Sequence, residues 1–105
     1  MSTATHRPEG PHPIVWFGAR VHEVLDGLVD CAAWSMTAQE QREALVELSR
    51  AEARISELRL RVLAAADRND IAADSAATST SAWLAVHTGT TRAQAHGEVR
   101  LAQAL

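Results

Sequence analysis

Seven apolar residues, Ala44, Leu48, Ala51, Ile55, Leu58, Val62 and Ala65, recur at alternating spacings of four and three. That is a heptad seam, the repeat that keeps one stripe of a helix facing a partner. It lies in a stretch, residues 38–67, that holds neither Pro nor Gly. Thirty residues at 1.5 Å rise make a rod of roughly 45 Å, long for a chain of this size. Five acids (Glu40, Glu43, Glu47, Glu52, Glu57) and five Arg (Arg42, Arg50, Arg54, Arg59, Arg61) occupy the other faces and cancel in charge. Glu57 with Arg61 and Glu47 with Arg50 have helical pair spacing. Leu45, Leu60 and Leu63 lie off the seam, so the helix should touch more than one neighbour. The seam has two readings: the inner face of an intramolecular bundle, or a self-association face centred on Leu48, Ile55, Leu58 and Val62.

Composition supports helices throughout. The chain has 105 residues, enough for one domain. Twenty-one residues are Ala, the best helix former, and the aromatics are only Trp16, Phe17, Trp34 and Trp83. A β-sandwich core would want far more β-branched and aromatic residues. The expected fold is all-α: about four helices with one long central helix, ending in a helix-turn-helix-like hairpin.

The periodicity divides the chain as follows. Residues 1–14 hold Pro8, Gly10, Pro11 and Pro13 and read as a disordered tail, and the whole segment 1–18 precedes the helical domain, 19–105. His6 and His12 lie in that tail, where a solvated leader is a simpler reading than a metal site. A first helix is predicted over 19–34 from Val21, Val24, Leu25, Leu28, Val29 and Ala32, with Gly27 inside it. Thr37 and Glu40 form a capping-box pattern ahead of the long helix. Residues 68–77 form a connector in which Asn69 is placed to cap the helix in the left-handed region. Asp67, Asp70 and Asp74 lack the spacing and Gly of a calcium loop. Thr78, Ser79, Thr80 and Ser81 offer N-caps to a third helix over 78–88, which Gly89 ends. Thr91 and Gln94 cap a fourth over 92–105. Trp83 is the expected core anchor of these two helices.

Charge and cysteine content restrict the function classes. Ten Arg and no Lys against 13 acids leave a net charge of −3, so no basic nucleic-acid coat is present. The absence of Lys beside so much Ala points to a GC-rich coding sequence. Cys31 is alone and makes no internal disulfide. No apolar run approaches the ~18 residues of a membrane span, and the apolar run after Pro13 is broken by Gly18, Arg20 and His22, unlike a signal peptide core. The expected location is cytoplasmic, without membrane contact. No HxxxH, HExxH, CxxC or glycine-rich phosphate loop occurs, so no catalytic residue, cofactor or metal ligand is assigned.

Residues 79–101 carry the most specific pattern. Ala85, Gly89 and Thr91 fall where a helix-turn-helix wants a small residue, a turn glycine and a second N-cap. In a DNA-binding hairpin Thr90, Arg92, Gln94, His96 and Arg100 would contact the duplex. The segment 79–105 carries only one net positive charge, which favours a plain αα-hairpin over a phosphate grip.

Three stretches, Arg50-Ala51-Glu52-Ala53-Arg54, Thr80-Ser81-Ala82-Trp83-Leu84 and Gly89-Thr90-Thr91-Arg92-Ala93-Gln94-Ala95, closely resemble the N-terminal helical domain known as domain of unknown function two-two-two. That domain belongs to actinobacterial HNH endonuclease-like proteins, including the thirteen-E-twelve repeat proteins, and the resemblance covers roughly residues 20–105. In that family the helical domain precedes a metal-dependent HNH nuclease module. None of that module's motif is in this sequence, so the resemblance implies a non-catalytic module, in a truncated or fragmentary chain, that serves DNA or partner contact.

Overall fold

A computed structural model describes residues 10–73, 77 and 79–105. Among them are four α-helices and one short 3-10 helix, with no strand: α1 (Pro13–Asp26), the 3-10 helix Ala33–Ser35, α2 (Ala38–Arg68), α3 (Thr80–Thr88) and α4 (Arg92–Gln103). The all-α expectation with a long central helix holds. His6 of the tail, Asp74 of the connector and the N-cap candidate Thr78 lie outside the described residues. The chain divides into two units, Met1–Gln41 and Arg42–Leu105.

In the first unit the helix starts and ends earlier than the 19–34 predicted from its stripe. Pro13 opens it at N1, where a fixed φ suits the helix and the missing N–H goes unused. His12 is the N-cap, its Nδ1 accepting from the Ile14 amide at 3.1 Å. Residues 13–18, expected to belong to the tail, are therefore helical. Gly27 caps the C-terminus instead of sitting inside the helix. Beyond it the chain turns, with the Leu28 amide donating to Leu25 and the Cys31 amide to Leu28. The stripe is cut: Leu28, Val29 and Ala32 fall outside the helix, and α1 buries no residue. The Thr37–Glu40 capping box forms, at 2.9 Å from the Thr37 amide to Glu40 and 3.1 Å back to the Thr37 hydroxyl.

In the second unit α2 ends in a Schellman motif. The Ile71 amide donates to the Ala66 carbonyl and the Asp70 amide to that of Asp67. The left-handed residue is Asp70, with φ 52°, not the expected Asn69. Asp tolerates that region because its short polar side chain bonds locally. Ser79 is the N-cap of α3, its hydroxyl accepting from the Ala82 amide. Gly89 ends α3 at φ 71°, ψ 22°, a conformation that costs an L-residue about 1–2 kcal/mol. Thr91 and Gln94 complete a capping box at α4.

The core is small and rich in Ala. Leu63 and Ala64 of α2, Leu84 of α3, and Ala95, Val99 and Ala102 of α4 form one buried cluster. Ala95 and Ala102 are almost wholly enclosed, so α4 approaches its neighbours closely. Leu60, Trp83 and Ala85 pack against the edge of this cluster. Trp83 is thus a half-buried lid on the core, not its anchor. Its ring stacks on the His87 imidazole with centroids 4.3 Å apart, and its neighbour Leu84 is the α3 residue buried in the cluster.

Two polar ties join α2 to α4. The Arg59 guanidinium forks onto the Glu98 carboxylate at 2.6 and 3.3 Å. Farther along, the Gln103 amide donates to Asp67 at 2.9 Å. Both contacts ascend in number together, so α4 runs in the same direction as the last turns of α2.

Candidate contact surfaces

Two surfaces follow from this packing, one on α2 and one on α4. On α2 the core-facing residues are Leu60, Leu63 and Ala64. At 100° per residue their mean direction lies about 160° from that of the heptad seam. The α3–α4 hairpin therefore takes the face the seam does not use. The seam as the inner face of the Arg42–Leu105 bundle is corrected by this: Leu48 is 60% exposed, Ile55 41% and Val62 42%. Leu58 and Ala44 are half-buried. Leu60 and Leu63, off the seam, serve the core. At 100° per residue Leu45 shares the direction of Leu63 and Val46 that of Ala64, and both stand exposed.

On α4 the five residues expected to face DNA do not share one face. Arg92, His96 and Arg100, four apart, form an exposed row. Gln94 points about 160° away from His96. With Thr90 it lines an open hollow of about 360 Å³, whose other walls are Gly97, Glu98 and Leu101. The Gln94 carbonyl already accepts from the Thr91 amide at 3.1 Å, leaving only its NH2 group to donate. The Thr90 hydroxyl lies 3.3 Å from that of Thr88. Only the Arg92–His96–Arg100 row keeps the charge and exposure that phosphate contact needs.

Sequence reasoning missed the Arg59–Glu98 pair. Nothing local signals it, because the two residues stand 39 positions apart. It also missed that Leu60 and Leu63, read only as additional contacts, mark the core side of α2.

The acid–base chemistry of the described residues is sparse. Asp67 is held below the usual carboxylate range by its hydrogen bonds from Gln103 and Thr80. Cys31 is exposed and free. Among the described residues no group of three or more His, Cys, Asp or Glu is placed to hold a metal ion. None of their helices is long and apolar enough to cross a membrane. No family model, curated protein or solved structure matches the chain.

Proposed function

We propose that this chain is a non-catalytic helical contact module, of the kind its resemblance to the N-terminal domain of HNH endonuclease-like proteins implies. Its contacts are with protein, made through apolar helix surface. The observation that carries this reading is the second apolar face of α2: Leu48, Ile55 and Val62 stay exposed although the opposite face already holds α3 and α4. A large exposed apolar strip with polar flanks marks an interaction surface.

A second reading, contact with DNA, draws on the exposed row Arg92, His96 and Arg100. Two Arg and one His release few counterions, so this contact is weak and non-specific.

Three measurements on the purified chain test these readings. Plasmid incubated with Mg²⁺, Mn²⁺, Ni²⁺ or Zn²⁺ should stay intact. Cleavage that disappears on mutation of the chain's own residues overturns the non-catalytic reading. Polarisation of a labelled duplex should give a Kd weaker than about 1 µM at physiological salt. Tighter binding, lost in Arg92→Ala with Arg100→Ala, makes DNA the partner. The dilute monomer should bind anilinonaphthalene sulfonate, and Ile55→Glu should reduce that binding.

A further inference from the structure

We infer that the exposed seam of α2 receives a second copy of this chain, and that the two α2 helices pair antiparallel. The inference rests on the contact-module reading and names its partner. Spacing assigns Leu48, Ile55 and Val62 to the a positions of the heptad and Ala44, Ala51, Leu58 and Ala65 to the d positions. The core residues Leu60, Leu63 and Ala64 then fall at f, b and c, the positions that face away from a coiled-coil partner. The α3–α4 hairpin and a second α2 can thus be held at once, on opposite sides of one helix.

Charge on the flanks selects the orientation. Glu47, Arg54 and Arg61 occupy g, and Leu45, Glu52, Arg59 and Ala66 occupy e. A parallel, in-register pair sets each g against the e five positions later in the other copy. That places Glu47 against Glu52 and Arg54 against Arg59, each twice, with no opposite-charge pair to offset them.

An antiparallel pair sets g against g and e against e. With Ile55 opposite Leu58 of the second copy, Glu52 meets Arg59 and Glu47 meets Arg68, each twice. Arg54 against Arg61 is the one like-charged pairing. The core layers of this register are Ile55 with Leu58, Leu48 with Ala65 and Val62 with Ala51. Two of the three match a large side chain with a small one, which lets the helices approach closely.

Arg59 is central to this arrangement. It already forks onto Glu98, yet its side chain remains 40% exposed. A guanidinium carries five N–H donors, so it can hold Glu98 of its own chain and Glu52 of the second copy together. The internal tie between α2 and α4 would then continue into the interface.

Sedimentation of the whole chain tests the inference, with helicity followed by circular dichroism. A reversible dimer is expected by about 100 µM. Ile55→Glu should give a helical monomer, since a charge in a dry seam is costly. Where Ile55→Glu fails to fold, the surface variant Glu52→Arg decides alone. Antiparallel pairing turns two attractions into repulsions, so Glu52→Arg should weaken the dimer roughly tenfold. A dimer that tightens in Glu52→Arg overturns the orientation, because a parallel pair would lose its Glu47–Glu52 repulsion. A fully helical monomer at about 100 µM overturns the second copy as partner. If that monomer binds anilinonaphthalene sulfonate through Ile55, the broader contact reading stands. If it does not, both fall.

Discussion

The guanidinium of Arg59 and the carboxylate of Glu98 meet in a two-pronged contact at 2.6 and 3.3 Å, joining helices whose residues stand 39 positions apart. Their side chains are 40% and 34% exposed, so solvent screens much of the attraction. We expect Arg59→Ala or Glu98→Ala to cost about 0.5–1 kcal/mol, with the double variant costing little more than either. Urea denaturation of the four proteins measures the coupling. Strictly additive losses would mean that the fork adds nothing beyond the two side chains taken singly.

Leu84 and Trp83 are neighbours with different burdens. Leu84 is buried in the core cluster and Trp83 is half-buried against it. Leu84→Ala should destabilise by about 2–4 kcal/mol. Trp83→Ala should cost less than the ~3–5 kcal/mol of a fully buried aromatic. Thermal unfolding of the two variants checks the order. A larger loss at Trp83 would place the aromatic, not Leu84, at the centre of the unit.

Gly89 holds the left-handed turn between α3 and α4. A Cβ there would meet no atom within 4 Å, so space is not the constraint. Backbone strain alone should make Gly89→Ala cost about 1 kcal/mol, and Gly89→Asn less, because Asn tolerates positive φ. Equal costs for Ala and Asn, measured by urea unfolding, would contradict that cause.

Asp67 gives the fold an acid-sensitive tie. Hydrogen bonds from Gln103 and Thr80 favour its charged form and lower its pKa in the folded chain. The unfolded chain therefore takes up the proton first as pH falls. The stability from this group is full above the ordinary Asp value of about 3.9 and is lost as pH falls through the lower folded value. Wild type should exceed Asp67→Asn in melting temperature near neutral pH, and the gap should close in acid. A gap independent of pH would show that the bonds do not discriminate the charged form.

Several caps could be read in the sequence because each depends on residues within about four positions, although the left-handed cap of α2 fell one residue later than expected, at Asp70. Thr37 with Glu40, Ser79 with Ala82, Gly89, and Thr91 with Gln94 are of this kind. The first helix was less legible. Its apolar stripe continues past Gly27 into residues that turn instead, while Pro13, a breaker in most settings, serves as a helix start. The α4 surface was legible only in part. Thr90, Arg92, Gln94, His96 and Arg100 are close in number, but the helical turn sends Gln94 away from the Arg92–His96–Arg100 row.

The sequence by itself determined that the chain is helical, that residues 38–67 belong to one long helix, and that this helix carries a heptad stripe. Those properties follow from local propensity and period. Only the tertiary structure decided which side of the rod receives α3 and α4. Both sides of α2 are apolar, so periodicity cannot rank them. The choice falls to residues distant in number: the small Ala95 and Ala102 that admit close packing, Glu98 that meets Arg59, and Gln103 that meets Asp67. These contacts favour Leu60, Leu63 and Ala64 as the core side, and they leave Leu48, Ile55 and Val62 exposed on the other.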